Sequence, residues 1–142
     1  VTGPDGYKYE PCWIHPSEAE KRGIEDGDIV KVFNERGIVV AGAYVTERVR
    51  PGVAYVDHGA RHDPIKTGEI ERGGAINTIT PGAITSENCV GQIGGGYLVE
   101  VQKVSGEEMD AWRREFPEAF NRKYDAAAGL RVEAWLADRG DE

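Results

Sequence analysis

Apolar residues change their spacing along this 142-residue chain, and each change predicts a different element. Residues 29–33, with the sequence IVKVF, are rich in β-branched side chains, which indicates a strand. The loop Asn34–Gly37 ends in glycine and predicts a hairpin to a partner strand over residues 38–46. Residues 97–104 alternate apolar and polar side chains, as is typical of a strand with one buried face.

A short helix is predicted just before the first strand. Pro16 cannot continue a helix backwards, and Ser17 with Glu20 three residues later forms a capping box. Gly23 can end this helix in a left-handed conformation. We therefore expect about two helical turns between these residues.

The last part of the chain has helical rather than strand spacing. Ser105 and Glu108 form a second capping box, and Pro117 can begin a further helical stretch through Tyr124, which Gly129 would end. Aromatic residues recur through this region, and packing against the chain's own sheet explains them better than ligand recognition. These aromatic residues are Trp112, Phe116, Phe120, Tyr124 and Trp135.

The predicted fold class is mainly β, with a short early helix and a C-terminal helical tail. Residues 1–12 form an irregular approach segment, residues 13–104 a small and mostly antiparallel domain, and residues 105–142 a helical extension. Within the domain, residues 53–56 predict a strand, residues 60–75 a polar stretch without strand periodicity, residues 76–81 an extended piece and residues 82–96 a glycine-rich loop. This pattern alone fits a small barrel or a sandwich.

Charge and hydropathy narrow the possible partners. The formal net charge is −8, with 25 acidic and 17 basic side chains, so nucleic acid is not expected as a partner. No stretch approaches the ~20 apolar residues of a membrane span. The first residues, VTGPDGYKY, lack the features of a signal peptide. We expect a cytoplasmic piece of a longer protein, with any targeting sequence upstream.

The residues offer little support for catalysis or metal binding in this chain. Cys12 and Cys89 have no CxxC spacing and are expected to be reduced and unpaired. His58 and His62 would present two ligands together only on a helix, which the intervening Gly59 disfavours. No nucleophile, base and orienting group occur in a recognisable order. No catalytic residue and no metal ligand is therefore assigned.

The chain carries a series of short motifs in a fixed order. They are His15-Pro16, Ala19, Gly23-Ile24, Gly27-Asp28, Val30, Val32, Arg36-Gly37, His58-Gly59 and Asn77-Thr78-Ile79-Thr80. Together they resemble the molybdopterin dinucleotide-binding domain that ends the catalytic subunits of the dimethyl sulfoxide reductase family. The segments DGYKYEPCWIHP, FNERG and HGAR further resemble the pyrogallol hydroxytransferase (transhydroxylase) large-subunit branch.

The resemblance implies a six-stranded double-psi β-barrel, with a first strand either missing or supplied by the parent chain. It also implies a bis(molybdopterin guanine dinucleotide) cofactor carrying molybdenum or tungsten, with the metal ligated outside this chain. The implied partners are the pterin cofactor, other domains of the parent catalytic subunit and an iron–sulfur subunit. The domain would bind and orient the cofactor and be inactive alone, while the transhydroxylase branch implies hydroxyl transfer between polyphenols.

Two motifs would contact this cofactor. His58 could donate to a phosphate or pterin oxygen while Gly59 lets the ligand approach; the alternative is a half-buried histidine satisfied by the backbone. Asn77 and Thr78 could hydrogen-bond a pterin or guanine edge. An Asx or Thr turn that stabilises its own backbone explains them equally well.

A later polar and glycine-rich stretch supplies two further candidates. Asn88 lies where the family has a polar segment at the cofactor edge, and Gln92 lies in the loop 91–96. This loop precedes a strand and is not followed by a helix, so it is not a P-loop. It is either a mobile connection or a cradle of backbone amides.

A function of another class shares part of this pattern. The N-terminal substrate-recognition domains of hexameric ATPases, which are double-psi barrels, have the same line of residues from Gly23 to Gly37. A stand-alone protein-interaction module without cofactor is therefore the alternative. It would need neither the His58-Gly59 turn nor the turn at Asn77.

Overall fold

A computed structural model describes residues 1–92, 95–121, 123–125 and 130–132, with the side chains of residues 84, 85, 89–92, 123–125 and 130–132 left out. The described chain divides into two compact units, Val1–Val104 and Ser105–Glu142. The elements of the first unit are β1 (Pro11–Ile14), α1 (Pro16–Arg22), β2 (Ile29–Asn34), β3 (Gly37–Val45), β4 (Ala54–Val56), β5 (Pro64–Lys66), β6 (Ile70–Glu71), a 3₁₀ turn (Ile76–Thr78), β7 (Ile84–Ser86), β8 (Cys89–Gln92) and β9 (Glu100–Lys103). Those of the second unit are α2 (Gly106–Glu115), α3 (Pro117–Phe120), β10 (Lys123–Asp125) and β11 (Leu130–Val132).

The first unit is built on a mixed sheet of seven strands. Its main path is β4-β1-β3-β2-β9, with β6 beside β3 and β5 beside β6. Strand β3 pairs antiparallel with β2 but parallel with both β1 and β6. The predicted mainly β class is confirmed. The two parallel pairs were not expected, because a hydrophobic pattern does not reveal which distant segments pair or in which direction.

The predicted hairpin forms the centre of this sheet. Asn34 and Gly37 are paired residues, so that two residues make the turn between β2 and β3. The apolar side chains of these strands meet those of β1 and β9 in one core. Its fully or almost fully buried members include Cys12, Ile14, Val30, Val32, Val39, Ala41, Ala43 and Val101.

The N-cap of helix α1 lies two residues before the predicted cap, Ser17. The N-cap is His15, whose Nδ1 accepts a hydrogen bond from the backbone N–H of Ser17 at 3.2 Å. The prediction of Ser17 as the cap is therefore wrong, because Pro16 occupies the first helical position, which proline favours. The predicted end is confirmed, since Gly23 is left-handed with φ +62°.

Three predictions for the later part of the unit need correction. The stretch 60–75, expected to lack strands, contains β5 and β6, and residues 76–78 form a 3₁₀ turn rather than an extended piece. The glycine-rich stretch 82–96 contains the antiparallel hairpin of β7 and β8. These strands have only two to four residues, which is too short for an alternating pattern to stand out.

The second unit begins as predicted and then departs from the prediction. Ser105 caps α2 by accepting from the backbone N–H of Glu108 at 3.1 Å, and Trp112 is buried. Lys123 and Tyr124, which were expected to continue the next helix, instead belong to β10, which pairs with β11. Gly129 and the segment 133–142, which contains Trp135, lie outside the described residues. None of the described helices is long and apolar enough to cross a membrane.

Candidate functional site

The first predicted contact motif follows strand β4 at the surface. His58 is exposed, so the alternative of a half-buried histidine is wrong. Gly59 has φ +88°, a conformation that favours glycine, and a Cβ added there would meet no atom within 4 Å. The backbone conformation explains this glycine, and the space around it is open to an approaching ligand.

The second motif is the 3₁₀ turn at Ile76–Thr78. The side chain of Asn77 is exposed, whereas Ile76 and Ile79 on either side of the turn are buried and anchor it. Thr80 donates a hydrogen bond from Oγ1 to the backbone oxygen of Asn77 at 3.4 Å. Asn34 donates from Nδ2 to the backbone oxygen of Ile79 at 2.8 Å and ties the turn to the central hairpin.

Thr78 has a packing role in this turn. It is half-buried, and its methyl carbon lies 2.7 Å from the place where a Cβ on Gly37 would stand. Gly37 therefore allows the turn to lie directly on the hairpin. The alternative of a turn that stabilises its own backbone explains part of this motif, because Thr80 donates a hydrogen bond to the backbone oxygen of Asn77. It leaves the exposed amide of Asn77 available to a ligand.

One buried carboxylate joins the two motifs. The side chain of Glu71 accepts four backbone hydrogen bonds, and the residue is only 1% exposed. One donor belongs to the segment that follows His58 and three to the segment that precedes Asn77. The donors are the N–H groups of Asp63 at 2.6 Å, Gly73 at 2.9 Å, Gly74 at 2.7 Å and Ala75 at 2.7 Å.

The backbones of these two segments also touch directly. Arg61 and Gly74 form an isolated parallel β-bridge. A Cβ on Gly73 would collide with the backbone oxygen of Arg61. Gly73 is therefore needed for close approach of the two segments, and Gly74 beside it has φ +93°, a conformation that favours glycine. The amides of both glycines are already donated to Glu71, which excludes their use as a phosphate cradle in this conformation.

Three further polar side chains accompany this carboxylate. Asp63 accepts from the Tyr7 hydroxyl at 2.8 Å and from Arg72 Nη2 at 3.3 Å. The guanidinium of Arg72 also lies 4.4 Å from the centre of the Tyr7 ring, within the range of a cation–π interaction. Arg72 is 1% exposed and Asp63 is 7% exposed, so this ion pair is buried.

Burial sets the protonation behaviour of this network. It raises the pKa of the Glu71 carboxyl above its ordinary value, while the backbone donors act in the opposite direction. Burial, and next the Asp63 carboxylate, raise the pKa of the Tyr7 hydroxyl, so it stays protonated and donates. The network is arranged for holding backbone in place rather than for proton transfer to a ligand.

The remaining predicted residues lie on a separate hairpin. Asn88 is exposed in the turn between β7 and β8, and Gln92 ends β8 with its backbone paired to Ile84. The side chain of Gln92 and residues 93 and 94 lie outside the described part, so the loop 91–96 stays a prediction. The structure thus links His58-Gly59 with Asn77-Thr78 and places Asn88 and Gln92 in a different element.

Four residues of this network, Tyr7, Asp63, Glu71 and Arg72, were not predicted from the sequence. Three of them lie in the polar stretch 60–75, where nothing in the spacing of the charged residues indicates burial. One local signal existed: a carboxylate followed by Arg-Gly-Gly can accept from the amides two, three and four residues later. That pattern resembles the cap of a helix.

Neither Cys12 nor any metal cluster adds chemistry to the described residues. Cys12 is a free thiol and fully buried, and burial raises its pKa to about 12, so it is a poor nucleophile and ligand. In the ranges given above, no group of three or more His, Cys, Asp or Glu residues could hold a metal ion.

Comparison with known proteins gives a family for this arrangement. The family model described as the molydopterin dinucleotide binding domain matches residues 2–92, a range that includes all six predicted contact residues. The chain is 44% identical over 100 residues to trimethylamine-N-oxide reductase 1 from Escherichia coli O157:H7, covering 68% of this chain and 12% of that protein. It is 36% identical over 111 residues to the pyrogallol hydroxytransferase large subunit from Pelobacter acidigallici, covering 76% and 13%.

A third relative and a solved structure agree with these matches. The dimethyl sulfoxide/trimethylamine N-oxide reductase from Cereibacter sphaeroides is 37% identical over 101 residues, which cover 69% of this chain and 12% of that protein. Acetylene hydratase from Pelobacter acetylenicus has a similar fold, with a TM-score of 0.53 at 17% identity, over 68% of this chain and 14% of that one. The chain thus spans only 12–13% of the length of these curated relatives.

Proposed function

This chain belongs to the molydopterin dinucleotide binding domain family, and we propose that it is the C-terminal cofactor-binding domain of a molybdenum- or tungsten-dependent oxidoreductase. The observation that carries the proposal is the family match over residues 2–92, which spans both surface motifs. Three relatives that are 36–44% identical are large redox enzymes or hydroxytransferases by name. The same match favours cofactor binding over the stand-alone interaction module, which would need neither motif.

The cofactor would be bis(molybdopterin guanine dinucleotide), held in part by His58, Gly59, Asn77 and Thr78. Their chemistry fits such a ligand. An exposed imidazole can donate to a phosphate, an exposed amide offers donors and an acceptor in one plane, and Gly59 leaves open space beside them. Asn88 and Gln92 would add contacts from the β7–β8 hairpin. The metal would be ligated by residues outside this chain.

The acidic charge nearby does not oppose an anionic ligand. Asp63 is paired with Arg72, and the Glu71 carboxylate is surrounded by four N–H donors. Both of these carboxylates are buried, so neither presents its charge at the surface of the two motifs. When bound, the cofactor would supply the redox chemistry, and this chain's residues would bind and orient it.

The sheet would belong to a double-psi barrel that closes within the complete subunit. Two features support this. Strand β3 has two parallel neighbours, β1 and β6, on the edge opposite its antiparallel partner β2, and the shared fold with acetylene hydratase covers 68% of this chain. Other domains of the catalytic subunit, and an iron–sulfur subunit, would be its partners.

The proposal for the substrate class rests on the named relatives and not on residues of this chain. The longest of the three alignments, over 111 residues, is to the pyrogallol hydroxytransferase large subunit, which supports a parent that transfers hydroxyl groups between polyphenols. Reductases of N-oxides and sulfoxides, at 37–44% identity, are the other source of an activity. Assay of the purified parent with pyrogallol-type phenols and with trimethylamine N-oxide separates the two.

Substitution in the full-length parent tests cofactor binding. We expect Asn77→Ala and His58→Ala each to lower the pterin and molybdenum or tungsten content of the purified protein. Each substitution removes an exposed side chain that would form a hydrogen bond with the cofactor. Asn121→Ala, an exposed asparagine in the second unit, is the matched control and should leave both contents unchanged. Unchanged pterin and metal content in both test variants would contradict the proposal.

A further inference from the structure

We propose that Glu71 is a positioning residue: it fixes the Asn77-Thr78 turn to the His58-Gly59 loop, and thereby sets how tightly the domain retains its pterin cofactor. This inference rests on the proposed function, because it assumes that these two motifs contact the ligand. Glu71 itself is buried and would not touch the cofactor.

The first support is the identity of the four donors. Asp63 lies five residues after His58, and Ala75 lies two residues before Asn77. A single carboxylate that accepts from the amides of Asp63 and Ala75 therefore holds the segment after His58 against the segment before Asn77. Both oxygens are used: Oε1 accepts from Asp63 and Gly73, and Oε2 accepts from Gly74 and Ala75.

The second support is the position of residues 73–75 outside the apolar core of the described part of the chain. The core cluster of the first unit is formed by β1, α1, β2, β3 and β9 together with Ile24 and Ile79. Strand β6, which carries Glu71, has only two residues and pairs through Ile70 and Glu71. Ile76 is buried directly after the segment, but the two glycines and the alanine at 73–75 have almost no side chain to bury. Their conformation therefore depends on hydrogen bonds, and hydrogen bonds to an ionised carboxylate are the strong ones.

The third support is the pair of glycines in the same segment. Gly73 lies against the backbone of Arg61, and Gly74 has φ +93° and lies against the side chain of Glu10. Both positions require glycine for reasons of backbone geometry alone. With the amides aimed at Glu71, the segment has one conformation in which all of these contacts are made together. Loss of the carboxylate would release it.

Glu71→Gln in the full-length holoenzyme is the direct test. Glutamine keeps the volume but turns one acceptor oxygen into an N–H donor, so two of the four backbone groups lose their acceptor. We expect cofactor release to become about tenfold faster, since supporting residues around bound ligands typically contribute that much. Glu69→Gln is the control: it removes the same charge from an exposed carboxylate paired with Lys66, and should leave release unchanged.

Two comparisons separate failure of this inference from failure of the proposed function. If neither Asn77→Ala nor His58→Ala alters cofactor retention, the proposed function fails. If Asn77→Ala does alter it while Glu71→Gln does not, the positioning role alone is overturned. In the double variant, Glu71→Gln should add little to Asn77→Ala, because it acts through that turn. Fully additive effects would also overturn the role, since they indicate general destabilisation.

A measurement on the unaltered protein covers the case in which Glu71→Gln does not fold. Hydrogen exchange of the amides of Asp63, Gly73, Gly74 and Ala75 should show one shared protection factor once the intrinsic rate of each residue is divided out, because one carboxylate holds all four. Bound cofactor should raise all four protection factors by the same ratio. Unrelated protection factors, or protection of only one segment by the cofactor, would contradict the inference.

Discussion

The β2–β3 hairpin and the segment from Arg61 to Ala75 lie side by side in one sheet but are held by different forces. The hairpin contributes Val30, Val32 and Val39 to an apolar core, and its pairing is local in sequence. The other segment has very short strands, and two of its most buried side chains, Glu71 and Arg72, are charged. Arg72 lies over the ring of Tyr7, near the start of the chain, and Glu71 accepts a hydrogen bond from the amide of Ala75.

The difference shows how this domain can present polar loops beside a rigid sheet. Apolar packing gives the hairpin a stable position without specifying the conformation of the loops around it. The buried polar network specifies that conformation, because a buried charge that loses its hydrogen bonds is costly. In this molecule the spacing of apolar residues determines the central hairpin, whereas individual side-chain hydrogen bonds determine the conformation of the loops at the candidate site.

The largest expected effect on stability is that of a substitution in the buried polar network. We expect Arg72→Ala to lower the free energy of unfolding by about 3–5 kcal/mol, because it leaves Asp63 buried without its charged partner. Chemical denaturation measures this loss. Arg36→Ala, at an exposed arginine paired with Glu35, is the control and should have little effect. A loss below about 1 kcal/mol for Arg72→Ala would show that the buried pair does not hold this segment.

An intermediate effect on stability is expected for a substitution in the apolar core of the hairpin. Val30→Ala removes two methyl groups from a fully buried side chain and should lower the free energy of unfolding by about 2 kcal/mol. Val53→Ala removes the same atoms at a position that is 48% exposed, and should cost far less. Denaturation of both variants under the same conditions gives the comparison. Equal losses would mean that burial in the hairpin core is not what stabilises it.

The same difference between local and distant contacts decides which parts of the fold could be predicted from the sequence. The hairpin, Gly23 as the end of α1 and Ser105 as the cap of α2 were predicted correctly, because each depends on neighbours within a few residues. The parallel pairs of β3, and the strands β5 and β6, were not. They depend on contacts between distant segments that leave no local periodicity.

The candidate site also has residues that the sequence predicts and a supporting residue that it does not predict. His58, Gly59, Asn77 and Thr78 could be named from motifs, and the structure places them on two surface segments that touch. Glu71 could not be named, because its role appears only when the amides of residues 63 and 73–75 are brought around one carboxylate. Motifs indicate which residues meet a ligand, whereas the supporting bonds depend on the tertiary structure.

The smallest effect is expected for a polar link at the surface, which sharpens the contrast with the buried network. Arg22 joins Glu18 of its own helix to Glu100 of β9, at distances of 2.6 Å and 2.9 Å. Hydrogen bonds from Lys21 and Arg22 lower the pKa of Glu18, and the bond from Arg22 lowers that of Glu100. A carboxyl whose pKa is lower in the folded state stabilises the fold above its unfolded value of 4.5, and this contribution is lost as pH falls below it.

Arg22→Gln should therefore destabilise the protein slightly at pH 7, and its stability difference from the unaltered protein should vanish towards pH 3. Urea denaturation across this range, with Arg113→Gln at an exposed pair in the second unit as the control, measures the difference. Added salt should reduce it as well, because exposed charges are screened. A difference as large as that of Arg72→Ala, or one that persists at low pH, would show that this surface link acts as the buried network does, and the contrast between the two kinds of polar contact would not hold.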